Sequence, residues 1–178
     1  MNTLSVRSLE ESDVPLIIRY WLDAAPEFLE GMGVDLSKMP SEVEWKKALM
    51  EQLSQSIPDK KSYCIIWQLN EEPVGHSNIN KIQFGKEAFM HLHLWKSGIR
   101  QMGLGADFVK MTLPFFFDNY ELQSLYCEPY SLNPAPNKTL EKVGFQFVKQ
   151  HVTVPGWLNF EQAVNLWELS RDRYLSLR

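Results

Sequence analysis

The feature that most constrains this chain is a glycine-containing turn between two apolar segments. The turn, RQMGLGA over residues 100–106, follows the strand-like run AFMHLHLW (88–95) and precedes a helix-like apolar run over 107–117. Glycines at 103 and 105 allow the backbone to turn tightly and to expose N–H groups at the start of a helix. Because a helix start carries partial positive charge, the turn predicts an anion site that suits a pyrophosphate.

The spacing distinguishes this turn from two other phosphate-binding loops. A dinucleotide fingerprint has three glycines spaced GxGxxG, and a nucleotide P-loop has Gly-Lys-Ser/Thr. Here an arginine stands three residues before the first glycine, and an alanine follows the second: Arg100, Gly103, Gly105 and Ala106. The turn therefore matches neither of those loops.

A second motif lies farther along the chain, in EPYSLNPAPNKTLEKVGF over residues 128–145. A strand-like run over 124–127 stops at Pro129, because proline cannot continue a strand ladder. A polar, proline-rich stretch then opens a short helix near Asn137 that ends at Gly144. Another strand-like run, FQFVKQHVTV, follows it.

In this order, the two motifs resemble the cofactor-binding motifs of the GNAT superfamily of N-acetyltransferases. The likeness is strongest to the ribosomal-protein N-terminal acetyltransferases and the small-amine acetyltransferases. The opening TLSVRSLEESDVPLIIRYW is similar to the first unit of that family, so the resemblance extends over nearly the whole chain. It implies acetyl-CoA as acyl donor and direct transfer to an amine in a ternary complex. The acceptor stays open among a protein N-terminus, a polyamine, an aminoglycoside-like amine and a siderophore precursor, and a homodimer is also open.

The resemblance also implies which residues bind the cofactor. The turn would hold the pyrophosphate, Asn133 would bond the pantetheine arm, and Lys138 would meet a cofactor phosphate or stay idle as an exposed helix lysine. The implied residues are Leu94, Arg100, Gln101, Met102, Gly103, Leu104, Gly105, Ala106, Asn133 and Lys138.

His91 and His93 are the candidates for a general base. An amine is mostly protonated at neutral pH, so transfer gains from a group that accepts its proton. The two histidines stand two residues apart in a strand and therefore share a face, and histidine titrates near the working pH. The alternative is that both are hydrogen-bonded structural groups. His-x-His is also a metal-ligand spacing, but no third ligand lies nearby, so we expect no metal.

The proton donor for the leaving thiolate is less evident. Family members place a tyrosine four residues before the terminal glycine of the second motif, or a serine eight before it, and these positions hold Leu140 and Pro136 here. Tyr130 at the strand exit is the preferred replacement, with Ser131 or a bound water as alternatives. Acyl transfer through Cys127 would be a variant without an evident base. The missing hydroxyls also leave a noncatalytic CoA-sensing or partner-binding module as the alternative function.

The segment over 26–40, PEFLEGMGVDLSKMP, has no clear periodicity and reads as a loop or a short helix. In GNAT-like enzymes the corresponding stretch shapes the acceptor pocket, and a solvent-facing connector is the alternative. Glu27, Glu30 and Asp35 would make such a pocket attractive to an ammonium group.

Patterning predicts an α/β fold with α+β layering, in which helices flank a mixed, mostly antiparallel central sheet. With 178 residues, 44% of them hydrophobic, the chain suffices for a single GNAT-like domain over residues 1–178. The predicted strands cover 4–8, 63–69, 73–82, 89–95, 124–127, 145–154 and about 163–169, and the predicted helices cover about 12–22, 42–53, 107–117 and 137–143.

Charge and composition exclude several classes of partner. A net charge of −4 disfavours nonspecific binding to nucleic acid, which relies on neutralising phosphates. No apolar stretch reaches about eighteen residues, so no membrane span is predicted. Two cysteines, Cys64 and Cys127, lack CxxC spacing and fit a reducing cytoplasm.

Overall fold

The computed structural model describes residues 2–100 and 102–178, and in that part of the chain seven strands form one sheet. Their order across the sheet is β1-β2-β3-β4-β5-β7-β6. Neighbouring strands are antiparallel except β4 and β5, which run parallel. The strands are β1 (Leu4–Ser8), β2 (Tyr63–Leu69), β3 (Glu72–Gln83), β4 (Glu87–Leu94), β5 (Ser124–Cys127), β6 (Gln146–Thr153) and β7 (Gln162–Ser170). The predicted fold class is confirmed.

Helices cover both faces of this sheet. The helix α3 begins where Ser41 and Glu44 form a capping box, which satisfies amide groups at its first turn. Short 3-10 helices over Glu11–Asp13, Leu36–Lys38 and Ile57–Asp59 join the longer elements. The α-helices are α1 (Val14–Leu22), α2 (Pro26–Gly31), α3 (Glu42–Ser54), α4 (Ser97–Arg100), α5 (Gly105–Asn119), α6 (Pro134–Val143) and α7 (Arg171–Ser176). Among the described residues, none of them combines the length and apolar character that crossing a membrane requires.

A buried core lies on each face of the sheet, and β2 contributes to both. Ile65 and Trp67 pack into the core beneath α5, whereas Cys64 and Ile66 pack into the core beneath α1 and α3. The ring of Trp67 stacks on that of Phe108 with centroids 5.2 Å apart. A strand buried on both faces reads as a continuous apolar run, which explains the sequence YCIIW.

Strands β4 and β5 stay paired over a short distance and then part. Residues 87–89 pair with residues 124–126, after which β4 continues to Leu94 while β5 ends at Cys127. The helix α5 provides the crossover that a parallel pair requires. The second half of β4 therefore has β3 on one side and an open gap on the other.

Most predicted elements are present, and the differences are at their boundaries. The helix α5 begins at Gly105 rather than 107, and α6 begins at Pro134, because proline suits the first helical position. The segment 26–40 contains α2 and a 3-10 turn. Patterning did not predict α4 or α7, since each is too short to show a periodicity.

Candidate active site

A cavity of about 480 Å³ opens where β4 and β5 part, on the face of the sheet that carries α1 and α3. The histidine face of β4 forms one wall, and the chain that leaves β5 forms the opposite wall with Glu128 and Tyr130. Trp21 of α1 and Trp45 of α3 close the cavity from above the sheet. The parted strands therefore bring the candidate base and the candidate acid to one space.

His91 and His93 share this face, as the alternation of a strand requires. Met90 points the other way, into the core beneath α5. His93 is paired across the sheet with His76 of β3, and their rings stack with centroids 4.7 Å apart. Three histidines thus form one cluster, of which sequence patterning found two, because the third comes from the register between β3 and β4.

A buried tyrosine holds His93. The Tyr20 hydroxyl lies 3.1 Å from His93 Nδ1 and 3.5 Å from Met32 Sδ. Burial raises the pKa of Tyr20, so the phenol keeps its proton. When that proton points to the Met32 sulfur, the hydroxyl oxygen accepts from His93 Nδ1–H and leaves a lone pair on His93 Nε2. Sequence analysis missed Tyr20, since an aromatic residue in an amphipathic helix is ordinarily core.

The other two histidines are held by their own hydrogen bonds. His91 Nε2 lies 3.2 Å from Asn80 Oδ1, and an amide oxygen only accepts, so this nitrogen carries the hydrogen. Trp95 Nε1–H donates to His76 Nδ1 at 2.8 Å, which puts the hydrogen of a neutral His76 on Nε2. His91 and His76 are therefore each fixed in one tautomer by a neighbour, whereas the Tyr20 hydroxyl is compatible with either tautomer of His93.

Burial keeps this cluster uncharged. Loss of hydration lowers the pKa of His91 to about 4, and the nearby charge of Lys81 adds a smaller effect. Loss of hydration likewise lowers the pKa of His76 to about 3, with a smaller effect from His91. Loss of hydration, followed by the nearby His76, lowers the pKa of His93 well below its usual value. The expectation that the strand histidines titrate near neutral pH is therefore wrong. They are neutral imidazoles at pH 7.

The glycine turn has the conformation that its sequence predicts. Gly103 has φ +72°, a left-handed value that side chains rarely adopt, and no atom lies within 4 Å of the position a Cβ would take. The helix α5 starts at Gly105 after Leu104, and no side chain caps its first amides. Met102 is exposed and Ala106 is buried, while Gln101 lies outside the described residues. Exposed amides at a helix start suit a phosphate group.

Arg100 does not project from the turn as an anion ligand. Its Nε donates to the Leu94 carbonyl at 2.8 Å and its Nη2 donates to the Trp95 carbonyl at 3.1 Å. Its guanidinium also lies over the Phe28 ring, 3.9 Å from the centroid. In this structure Arg100 fixes the end of β4 against α2, which is a different role from the phosphate contact implied by the sequence resemblance.

On the opposite wall, Asn137 fixes the start of α6. Its Nδ2 donates to the Asn133 carbonyl at 2.8 Å, and its Oδ1 accepts from Asn165 and from Trp167, each at 2.9 Å. Asn133 itself lines the cavity, and its side chain does not cap α6. Sequence analysis treated Asn137 only as a helix start.

Two further residues of α6, Lys138 and Thr139, bear on the cofactor-binding prediction. Lys138 is exposed to solvent. Thr139 packs next to the glycine turn, because a Cβ built on Gly105 would lie 3.4 Å from the Thr139 Oγ1. The first turn of α5 therefore packs against the second turn of α6.

Tyr130 is the hydroxyl that faces the cavity near the strand exit. It forms a bridge with Val164, and its ring meets the edge of Phe160 at 5.8 Å. Leu140, where the family has a tyrosine, is fully buried in the core beneath α5, and Pro136 lines the cavity without a hydroxyl. Neither position can donate a proton.

Next to Tyr130, the cavity holds one thiol and one carboxylate. Burial raises the pKa of the Cys127 thiol, so the thiolate required for acyl transfer through sulfur is disfavoured. The carboxylate of Glu128 lies 3.1 Å from His151 Nε2 and is nearly buried. Sequence analysis missed this pair because Glu128 follows β5 and His151 belongs to β6, and these two strands are separated by β7 in the sheet.

The segment 26–40 lines the cavity, but with apolar atoms. Met32 and Val34 form part of the wall, whereas Glu27 and Glu30 are exposed and outside it. Asp35 is engaged locally, accepting from the Ser37 hydroxyl at 2.6 Å. The expectation that these three carboxylates attract an ammonium group into the cavity is wrong.

Within residues 2–100 and 102–178, no group of three or more His, Cys, Asp or Glu side chains is arranged to hold a metal ion.

Two parallel strands that part, together with a glycine turn at the start of the helix that joins them, are the arrangement of a coenzyme A-dependent acyltransferase. A family model described as an acetyltransferase (GNAT) domain matches residues 3–146. The chain belongs to the GNAT acetyltransferase family, as its motifs predicted. No curated protein sequence matches it significantly.

Solved structures share this fold. Spermidine N-acetyltransferase from Vibrio cholerae, in complex with CoA and spermine, has a TM-score of 0.78 at 16% identity, with 97% of this chain and 98% of that chain covered. The ribosomal L7/L12 alpha-N-protein acetyltransferase RimL, in complex with CoA, has a TM-score of 0.77 at 17% identity, with 96% of each chain covered. The aminoglycoside acetyltransferase AAC(6')-Ib, in complex with CoA, has a TM-score of 0.73 at 14% identity, with 98% of each chain covered.

Replacing Gly103 tests the glycine turn. Gly103→Val should lower the affinity for CoA by about tenfold or more, because a β-branched residue resists φ +72° and displaces the amides that face the phosphates. Titration calorimetry with CoA measures this. Gly85→Val is a matched control, since Gly85 has φ +73° and equally open surroundings but lies in the hairpin between β3 and β4. Equal CoA affinity in both folded variants would contradict the role of the turn.

The neutral histidines predict how stability depends on pH. Their pKa values are lower in the folded protein than in the unfolded chain, where histidine titrates near 6.5. Their full contribution is therefore present above about pH 6.5, and the free energy of unfolding should fall as the pH drops from 6.5 towards 4. Urea unfolding of the wild type and of His91→Gln at pH 7, 6 and 5 measures the effect. The free energy of unfolding of His91→Gln should fall less between pH 7 and 5 than that of the wild type. An equal fall in both proteins would contradict the lowered pKa of His91.

Proposed function

We propose that this acetyltransferase moves an acetyl group from acetyl-CoA directly to a primary amine, with His93 accepting the proton of that amine. The observation that carries the proposal is the position of the neutral His93 on the wall of the cavity where β4 and β5 part. We also propose a cytoplasmic location, which the buried free thiols of Cys64 and Cys127 support.

The residues around the gap fit acetyl-CoA. The amides from Gly103 to Ala106 would bind the pyrophosphate, since the helix start there is not capped by a side chain. The open side of β4 leaves room for the pantetheine arm, with Asn133 on the far wall. When bound, acetyl-CoA supplies an activated thioester carbonyl.

His93 is the stronger of the two candidate bases. With the Tyr20 hydroxyl accepting from His93 Nδ1–H, His93 Nε2 is the proton acceptor, whereas His91 uses its Nε2 to donate to Asn80. The lowered pKa makes His93 a weak base, but an amine that enters the same desolvated space also loses its proton more readily. The proton becomes more acidic still as the new N–C bond forms, so a weak base suffices.

Tyr130 is the proposed proton donor to the leaving thiolate. Its ring is fixed by Phe160, and it stands on the wall opposite the histidines. A thiol has a pKa of about 8.5, so a thiolate leaves readily, and a phenol, whose ordinary pKa is about 10, gives up its proton to it in a step that is only slightly uphill. Ser131 or a bound water are the alternatives.

Removing the imidazole tests the base. His93→Gln should lower kcat by about 100-fold while CoA affinity stays unchanged, because only proton transfer is affected. Release of CoA thiol under saturating acetyl-CoA measures kcat. His91→Gln is the matched variant and should retain more activity. The wild-type rate should show no loss from titration of His93 between pH 8 and 6, since its pKa lies well below this range.

If His93→Gln, His91→Gln and the double variant all keep wild-type turnover, His93 is not the base. If CoA binds normally and no amine in a broad panel is acetylated by the wild type, the protein is a cofactor-binding module and the proposed function is wrong.

Tyr130→Phe tests the proton donor. The substitution removes the hydroxyl and keeps the ring, so the single-turnover rate should fall about tenfold without a change in substrate binding. Rapid-quench measurement of acetylated product gives this rate. Tyr126→Phe is the control, because Tyr126 bonds Glu168 on β7 and lies outside the cavity wall. An unchanged rate in Tyr130→Phe would instead favour water as the proton source.

A further inference from the structure

An aromatic track runs from His93 to the surface. The Trp21 ring meets the His93 ring with centroids 5.0 Å apart, and Trp21 stacks on Trp45 at 5.5 Å with 13° between planes. Trp45 in turn meets Trp157, at 5.7 Å. Trp21 and Trp45 are buried, whereas 60% of Trp157 is exposed at the mouth of the cavity. These three tryptophans form a continuous apolar wall that leads to the proposed base.

Further apolar side chains adjoin the tryptophans, beside polar ones such as Gln52 and Asn78. Met32, Val34 and Leu49 line the same cavity. Apolar surface of this extent favours an apolar ligand group, because water is released from both surfaces on binding. A ligand group of aromatic size can lie along the tryptophan rings in an edge or offset arrangement.

The cavity offers little to a second positive charge. Of the described residues that line it, Glu51 and Glu128 carry a carboxylate, and Lys61 adds a positive charge. Glu128 is already bonded to His151. The histidine cluster stays neutral because cations are poorly solvated there. An acceptor with several ammonium groups would bury charge without a partner, which is costly.

The roof of the cavity is closed by two segments bonded to each other. The Asp35 N–H donates to the Leu158 carbonyl at 2.7 Å, and Asn159 Nδ2 donates to the Gly33 carbonyl at 2.9 Å. A bridge between Val34 and Asn159 adds to this contact. The acceptor has to fit beneath this roof, so a compact molecule is favoured over an extended chain that crosses the sheet.

We infer that the acceptor is a small monoamine with an aromatic or similarly bulky apolar group, bound along Trp21, Trp45 and Trp157 with its amino group at His93. This inference rests on the proposed N-acetyltransferase function. The apolar group binds on the tryptophan wall, and the single amine reaches the neutral histidines, where it is held in its unprotonated form. Aromatic faces also attract organic cations, but the neutral cluster at the end of the track opposes a retained charge.

A panel of amines tests this inference with purified protein, acetyl-CoA and a thiol-release assay. The panel contains 2-phenylethylamine, tryptamine, ethylamine, spermidine and a tetrapeptide with a free N-terminal alanine. We expect kcat/KM for 2-phenylethylamine or tryptamine to exceed that for ethylamine by about tenfold or more, since the added ring binds the apolar wall. We expect kcat/KM for spermidine and for the peptide to be lower than kcat/KM for the aromatic amines.

Trp157→Ala tests whether the apolar group of the acceptor binds on the tryptophan rings. Because Trp157 is exposed, the variant should fold, and KM for 2-phenylethylamine should rise about fivefold or more while KM for acetyl-CoA is unchanged. Phe84→Ala is the matched control, because Phe84 is 51% exposed and does not line the cavity. An equal KM for 2-phenylethylamine in both variants and the wild type would overturn the assignment of the track.

The outcomes separate this inference from the proposed function. Acetylation of spermidine or of the peptide in preference to both aromatic amines would overturn the substrate class and leave the N-acetyltransferase function standing. Binding of CoA without acetylation of any amine would overturn the function itself, and the inference with it.

Discussion

The structure depends on the parting of β4 and β5. Residues 87–89 pair with 124–126, and beyond them the two strands separate although each stays bonded to its other neighbour. Separation leaves polar backbone along β4 without a partner strand, which is costly in a buried sheet unless another group fills the gap. The glycine turn and α5 follow directly from the open end of β4, and Tyr130 follows from the end of β5. One interruption in the sheet thus positions the anion site, the proposed base and the proposed acid.

The second constraint is the desolvation of the histidine cluster. Three imidazoles share a space that also contains Tyr20 and Trp95. Hydrogen bonds with Asn80 and Trp95 set the tautomers of His91 and His76, and Tyr20 is bonded to His93. The cost of charging a buried imidazole is what keeps a lone pair available at neutral pH. The same cost disfavours an ammonium ion, so proposed base and acceptor are both held in their neutral forms by one physical effect.

The sequence predicts this fold well because its signals are local. Strand alternation placed His91 and His93 on one face, and the two glycines at 103 and 105 marked the start of α5. Contacts that depend on packing between distant elements were not predictable. His76 meets His93 through the register of β3 and β4, and Tyr20 reaches His93 from α1, neither of which leaves a pattern in the chain. Likewise, Arg100 stood where a phosphate ligand was expected, but nearby carbonyls of β4 bind its guanidinium.

The contact between segment 26–40 and the loop after β6 joins parts of the chain that are far apart in sequence. Gly33 and Asp35 are bonded to Asn159 and Leu158, whereas the glycine turn lies outside this contact. Both segments line the cavity, so a change in one is transmitted to the other through these bonds. Under the proposed function, we expect acceptor choice to depend on the two segments together rather than on either one alone.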